Sequence, residues 1–205
     1  MNYPSVFSLI RRHSLPSLGG DYSRDIRGIV ESLHERLIVI FGSTNTLIYF
    51  ENGKPLFQTE CVTSKEGFGN EPDSHRTPTG LHRVVDRIGD GCDKYQKFKA
   101  RVPTTIDTPP KPGKLKFGTY GRILTLDGVE TINQSTKSRY VYIHGNINES
   151  YWQEPEKNLR RSWGCIGLKL DEMVELFDLV KLVKAVKEQV FVYIIGDESS
   201  GMKGK

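Results

Sequence analysis

The sequence predicts a mainly β domain, because short apolar runs of strand type are separated by turn residues and one clear helical pattern comes late in the chain. Three runs near the start, residues 37–41, 46–50 and 55–63, predict a meander of antiparallel strands. Residues 51–54 (Glu-Asn-Gly-Lys) contain the Asn-Gly pair that favours a tight hairpin turn. The pattern therefore favours a mostly-β fold over an alternating βαβ fold.

Two helices are expected at the borders of this β region. Residues 21–36 carry apolar side chains at helical spacing and predict an N-terminal helix within an extension of residues 1–36, although Gly28 disfavours it. Near the other end, Asp171 is placed to cap a helix over residues 172–188.

Turn and loop signals divide the rest of the chain. Residues 76–80 (Arg-Thr-Pro-Thr-Gly) predict a rigid turn, because proline restricts φ and glycine relaxes it. Residues 89–117 predict a long loop, which can be a substrate lid or a tolerated insertion. The polar residues 197–205 predict a disordered tail, so the folded domain is expected to span residues 37–196. Further strands are predicted at 81–88, 122–126, 139–143, 165–170 and 189–195.

Composition excludes several classes of function. The 205 residues carry a net charge of +4 that is scattered along the chain, which is not the basic stripe of a nucleic-acid-binding protein. No stretch has the length of a transmembrane helix, and residues 1–20 lack the pattern of a secretory signal.

The three cysteines, Cys61, Cys92 and Cys165, form no CxxC pair, and their number is odd. A disulfide framework or a structural metal site is therefore not expected, and neither a metal nor a cofactor is predicted. A single bridge between Cys61 and Cys92 stays open. The strand-like surroundings of Cys61 favour a small core residue instead.

Residues 140–168 hold the candidate chemistry. An apolar strand pattern leads to His144, and a Ser-Trp-Gly-Cys turn leads to Cys165. A thiol nucleophile needs a nearby base, and imidazole commonly serves. The Gly145 carbonyl can orient the imidazole, and the amides of Gly164 and Cys165 can stabilise an oxyanion. The alternative is that both side chains are ordinary core residues, since free cysteine is usually buried.

The residues around these two side chains resemble a known signature. Residues 143–145 (Ile-His-Gly) together with residues 161–166 (Arg-Ser-Trp-Gly-Cys-Ile) resemble the L,D-transpeptidase catalytic domain. Residues 76–80 resemble the Thr-Pro-x-Gly turn of that family, and the first three strands resemble its opening hairpin. The resemblance keeps the family's order over residues 37–195. It implies an L,D-transpeptidase-like β-sandwich with one helix after the catalytic cysteine.

This chain departs from the family pattern at three places. Trp163 stands where the family usually has histidine, and Gly167 stands where it usually has arginine or asparagine. The segment between the candidate histidine and cysteine is also longer than is common. The lost arginine changes how a substrate carboxylate is held, and Arg160, Arg161 or Lys169 could compensate.

The resemblance also implies an activity. Cys165 would be the nucleophile and His144 the general base and acid, with peptidoglycan stem peptides or muropeptides as partners. Transfer through a thioester would cross-link stems or exchange a D-amino acid, and water would give L,D-carboxypeptidase cleavage. An inactive or weak peptidoglycan-binding module of the same fold is the alternative. The expected substrate-binding residues are Tyr142, Ser162, Trp163, Arg161 and Thr79.

The implied location is the cell envelope, in the periplasm or cell wall. Because no signal peptide is visible, a secreted effector and a cytoplasmic protein acting on recycled muropeptides stay open. The sequence does not specify an oligomeric state.

Overall fold

The computed structural model describes residues 36–111, 114–148, 152, 160–180 and 189–197. The predicted helix at 21–36 lies outside these residues except for Arg36, which begins the first strand. The predicted tail also lies outside them, apart from Asp197.

Twelve strands and one α-helix make up the described fold, which confirms the mainly β prediction. A 3-10 turn at Thr131–Asn133 follows the longest strand. The elements are β1 Arg36–Phe41, β2 Thr46–Glu51, β3 Lys54–Glu60, β4 Thr63–Ser64, β5 Gly80–Ile88, β6 Gln96–Lys99, β7 Val102–Ile106, β8 Thr119–Gly128, β9 Tyr142–Asn146, β10 Arg160–Ser162, β11 Ile166–Lys169, α1 Leu170–Leu179 and β12 Phe191–Ile195.

One large sheet has the strand order β11-β9-β8-β5-β12-β1-β2-β3, and β4 pairs with β10 in a separate small sheet. Phe57 of β3 and Leu168 of β11 belong to the same buried cluster, although their strands are the two ends of that order. The sheet therefore curves around a shared core. α1 adds Met173, Leu176 and Phe177 to this core.

The opening meander forms as predicted, and its turn explains why. Asn52 and Gly53 have φ values of +50° and +71°, as a two-residue hairpin turn requires. The predicted third strand is interrupted, however. β3 ends at Glu60, because the Cys61 amide then donates to the Asn45 carbonyl and Val62 pairs with Gly167.

The prediction of a loop over residues 89–117 is wrong in part. β6 and β7 form a hairpin there, and β6 pairs with β8. Every residue of β7 is exposed, so no alternation of buried and exposed side chains marks it in the sequence. Ala100 and Arg101 occupy the turn with φ values of +48° and +69°, and neither residue type signals such a turn.

Two boundaries near the candidate site also differ from prediction. His144 lies in the middle of β9 and not at a strand end, because Arg139 and Tyr140 belong to the preceding turn. α1 begins at Leu170, its N-cap is Lys169 and no side chain caps it, so the assignment of Asp171 as the cap is wrong. Residues 181–188 of the predicted helix lie outside the described residues.

All three cysteines are free, so the Cys61–Cys92 bridge is excluded. Cys61 is fully buried in the main core, as its strand pattern predicted. Within the described part of the chain, no helix is both long enough and apolar enough to cross a membrane.

Candidate active site

A cavity of about 300 Å³ brings His144 and Cys165 together. The pairing of β9 with β11 explains how. The strands are parallel, with Ile166 opposite Ile143 and Gly167 opposite His144. Because side chains alternate between the two faces of a sheet, Cys165, Gly167 and His144 share one face, and the imidazole and the thiol are diagonal neighbours.

The imidazole of His144 is held in one tautomer. Its Nδ1 lies 2.8 Å from the Gly145 carbonyl oxygen, and a carbonyl can only accept a hydrogen bond. Nδ1 therefore carries the proton and donates it, which leaves Nε2 of the neutral ring as a proton acceptor. Gly145 must also lack a side chain, since a Cβ would lie 2.6 Å from the Tyr120 carbonyl oxygen on β8.

Burial favours the neutral forms of both side chains. It raises the pKa of Cys165 to about 11, against smaller opposing effects of the Tyr142 main-chain amide and the positive charge of Arg139. Burial also lowers the pKa of His144, although the bond to Gly145 opposes this. A thiol and a neutral imidazole therefore face the cavity at neutral pH. The sulfur also lies 3.5 Å from the Tyr140 carbonyl oxygen, to which the thiol donates.

The turn before Cys165 is built around the Ser162 hydroxyl. This hydroxyl donates to the Cys165 carbonyl at 2.5 Å and accepts from the Gly164 amide at 3.2 Å. Gly164 has a φ of +113°, and a Cβ on it would lie 3.2 Å from the Arg76 carbonyl oxygen. Glycine is therefore required here both for the backbone conformation and for the close approach. The Gly164 amide is engaged within the turn, so it is not free to meet an oxyanion in this state.

Trp163 forms an exposed wall of the cavity, with 60% of its surface accessible. The ring of His75 meets it edge-on at a centroid distance of 4.9 Å, and the Lys65 ammonium lies 4.2 Å from its centroid. Arg161 lines the same cavity. Two of the predicted substrate-binding residues, Trp163 and Arg161, thus line the cavity.

The other predicted substrate-binding residues are placed differently. Ser162 lines the cavity, but its hydroxyl is used inside the turn. Thr79 is outside the lining, where its amide and hydroxyl bond the side chain of Asn70. Tyr142 does not line the cavity either and contributes its main-chain amide near the sulfur. Of the residues considered to compensate for the lost arginine, Lys169 pairs instead with Glu172 at 3.0 Å.

One wall of the cavity comes from the end of the segment predicted as a long loop and possible substrate lid, although its residues were not predicted as site residues. Lys116 and Phe117, just before β8, line it, and Phe117 is 70% exposed. Asn148 holds this wall, because its side chain accepts from the Lys116 amide at 2.8 Å and donates to the Lys116 carbonyl at 2.7 Å. No local pattern signals a contact between residues 32 positions apart.

Among the described residues, no group of three or more His, Cys, Asp or Glu side chains is arranged to hold a metal ion.

The sequence model of the L,D-transpeptidase catalytic domain matches residues 35–193. The chain belongs to this family. A search of curated proteins finds no match.

Solved structures similar to this chain include L,D-transpeptidases. A cysteine-to-serine mutant of the Enterococcus faecium L,D-transpeptidase is 18% identical, with a TM-score of 0.46 over 80% of this chain and 50% of that chain. The Mycobacterium smegmatis L,D-transpeptidase is 17% identical, with a TM-score of 0.47 over 78% of this chain and 58% of that chain. The helical cell shape determining protein of Campylobacter jejuni is 16% identical, with a TM-score of 0.46 over 81% and 51%. The chain thus spans roughly half the length of these proteins.

Proposed function

We propose that the protein is a peptidoglycan L,D-transpeptidase that acts on stem peptides through a thioester at Cys165. The observation that carries the proposal is the shared cavity of His144 and Cys165, in which the Gly145 carbonyl fixes the imidazole tautomer. Family membership supports the reaction class.

In the first half-reaction, Sγ of Cys165 attacks the carbonyl carbon of the L,D peptide bond after the third residue of a donor stem. The C–S bond forms as the thiol proton moves to Nε2 of His144. The tetrahedral intermediate then collapses, the C–N bond breaks, and the departing D-amino acid takes the proton from the imidazolium. A thioester and a neutral imidazole remain.

In the second half-reaction, the amine of an acceptor stem or of a free D-amino acid attacks the thioester. His144 takes the amine proton as the new C–N bond forms, and returns it to the sulfur as the C–S bond breaks. Water in place of the amine would give L,D-carboxypeptidase cleavage. Exclusion of water from the cavity decides between these products.

The developing oxyanion would be met first by the Cys165 main-chain amide. The Gly164 amide could join it only after exchanging its 3.2 Å bond to the Ser162 hydroxyl. On the substrate side, Arg161 and Trp163 are the proposed contacts for the stem, with Arg161 the better candidate for its carboxylate. Thr79 and Tyr142 are not proposed as side-chain contacts because they do not line the cavity.

The proposed site of action is the cell envelope, where peptidoglycan is assembled. Fractionation of cells that produce the native protein would test this. Recovery in the cytoplasm alone would favour action on recycled muropeptides.

The direct test of the reaction uses tetrapeptide muropeptides, with products identified by mass spectrometry. Wild-type protein should release the terminal D-amino acid or exchange it for an added one, and Cys165→Ala should do neither. Cys92→Ala is the matched control, because Cys92 is a partly exposed free thiol that does not line the cavity. If Cys165→Ala processes the muropeptides as fast as wild type, the mechanism is wrong.

A second candidate is a peptidoglycan-binding module with little or no turnover. The engaged Gly164 amide and the raised pKa of the Cys165 thiol favour it. A carbapenem separates the two, because its strained ring acylates a working thiol without needing a stem peptide. Acylation at Cys165 would support the enzyme, whereas muropeptide binding without acylation would support the module.

A further inference from the structure

Arg139 ties the turn before β9 to the loop that ends at the Thr-Pro turn. Its half-buried guanidinium donates to the Gly69 carbonyl at 3.3 Å, the Ser74 hydroxyl at 3.3 Å and the Arg76 carbonyl at 2.5 Å. A planar guanidinium has donors in a rigid fork, so three acceptors on one loop fix its position closely. The charge of Arg139 is thus held in place by the backbone of residues 69–76.

The same loop packs against the turn of residues 162–165, which contains Cys165 and is called the nucleophile turn below. The Arg76 carbonyl oxygen that accepts from Arg139 is also the atom nearest to where a Cβ on Gly164 would lie, at 3.2 Å. His75, which precedes Arg76, contacts with its ring the side chain of Trp163, the residue before Gly164. A short chain of contacts therefore runs from the guanidinium through one carbonyl oxygen to the residue that precedes Cys165.

A second route leads from Arg139 to the sulfur. Arg139 is followed directly by Tyr140, whose carbonyl accepts from the Cys165 thiol at 3.5 Å. The positive charge of Arg139 opposes the effect of burial and lowers the pKa of Cys165, and the charge on that sulfur in turn acts on Arg139. The carboxylates of Glu71 and Asp73 also act on Arg139 from the loop that holds it.

Other charged and titratable groups near the sulfur lie on several elements. Arg161 and Lys116 line the same cavity, Lys65 lies over the Trp163 ring, and Arg101 lies 5.9 Å from the Tyr140 ring. On β9, burial raises the pKa of Tyr142 and lowers the pKa of His144, so both are neutral at pH 7. His75 faces Trp163 from the loop. Arg139 differs from these other cations in two ways: main-chain carbonyls of Gly69 and Arg76 hold its guanidinium in place, and its charge lowers the pKa of Cys165.

We infer that Arg139 is a positioning residue that favours the thiolate form of Cys165, with its charge held beside the nucleophile turn by the carbonyls of Gly69 and Arg76. The inference deepens the proposed function and rests on Cys165 being its nucleophile. In a site that holds the thiol protonated at rest, a fixed cation lowers the cost of moving the proton to His144 as attack begins.

The test is the rate at which iodoacetamide alkylates Cys165, followed between pH 7 and 9 by mass spectrometry of the peptide that contains it. Peptide-level detection is needed because Cys92 is also partly exposed. Arg139→Gln should slow alkylation about three- to tenfold at each pH, since removal of a nearby opposite charge raises a thiol pKa. Arg139→Lys keeps the charge without the fork and should recover part of the rate.

Arg83→Gln is the matched control. Arg83 pairs with Asp127 at 2.8 Å on an exposed part of β5, and its variant should alkylate at the wild-type rate. The direction in which the alkylation rate of Arg139→Gln changes distinguishes an effect of the lost charge from an effect of a loosened turn. A loosened turn would expose the thiol to water, return its pKa toward 9.0 and accelerate alkylation.

Alkylation of Arg139→Gln at the wild-type rate or faster would therefore overturn the inference, and so would an Arg139→Lys variant as slow as Arg139→Gln. If Arg139→Gln does not fold, as judged by its circular dichroism, the comparison of Arg139→Lys with Arg83→Gln decides. Slower alkylation of Arg139→Lys than of Arg83→Gln supports the positioned charge, and a rate equal to or above that of Arg83→Gln overturns the inference. The assay needs no peptidoglycan. If the protein does not process muropeptides but alkylation still depends on Arg139 as expected, the proposed function is wrong and the inference about Arg139 stands.

Discussion

His82 should make the stability of this fold depend on pH between 7 and 4. Its side chain on β5 is 0% exposed, with Nδ1 3.0 Å from the Gly80 carbonyl and Nε2 3.1 Å from the Thr136 hydroxyl. Burial lowers the pKa of His82 from 6.5 to about 4, although hydrogen bonds to the backbone and the charge of Asp127 oppose it. The folded protein therefore keeps this ring neutral at pH values where the unfolded chain protonates it.

The sign and size of the effect follow from linkage. As the pH falls below 6.5, the unfolded state binds the proton first, so the folded state loses stability until the pH reaches about 4. With these two pKa values, the free energy of unfolding should fall by about 2 kcal/mol from this group between pH 7 and pH 5, and by roughly 3 kcal/mol in total.

Urea unfolding of wild type and His82→Gln at half-unit steps of pH measures this effect. Glutamine can keep a donor and an acceptor in the same place but does not titrate, so the difference between the two curves isolates the histidine from the carboxylates. We expect the wild type to lose about 2 kcal/mol more than His82→Gln between pH 7 and pH 5. Parallel curves over that range would refute the reasoning.

The remaining predictions concern the core and the site. Phe177→Ala, at a fully buried position of α1, should lower the free energy of unfolding by about 3–5 kcal/mol, measured by urea unfolding. Gly145→Ala should destabilise the fold by about 1–3 kcal/mol, because its Cβ would press on the Tyr120 carbonyl, whereas Gly167→Ala meets only ordinary contacts at 3.5 Å and should melt like wild type. Equal melting temperatures for the two glycine variants would contradict this. Alkylation of Cys165 should accelerate about tenfold per pH unit from 7 to 9, and a plateau below pH 9 would show that burial does not raise the thiol pKa.

Local patterns predicted the parts of the fold that local contacts stabilise. The Asn52-Gly53 pair predicted the first hairpin, since these residues adopt the positive φ values that the turn requires. The β6–β7 hairpin escaped prediction for the opposite reason. Its turn residues, Ala100 and Arg101, are not typical of such turns, and its strands bury little apolar surface. This hairpin is held in the sheet by the pairing of β6 with β8, a contact between segments that are distant in the sequence.

Some features of the candidate site were also predictable from the sequence, whereas others depend on tertiary contacts. His144 and Cys165 were predicted from a strand pattern, a glycine-containing turn and the resemblance of residues 143–145 and 161–166 to the family signature. The placement of Thr79 and Tyr142 outside the cavity lining could not be read from the sequence, because it depends on Asn70 and on the alignment of β9. The wall at Lys116 and Phe117 depends on Asn148, which is distant in sequence.

The sequence by itself determined the mainly β class, the first hairpin and the two residues that meet in the cavity, because period, turn chemistry and short motifs are local properties. Only the tertiary structure decided the protonation states of Cys165 and His144 and the charge of Arg139 beside the nucleophile turn. These properties depend on burial and on contacts between segments distant in the chain, and desolvation and charge act through space.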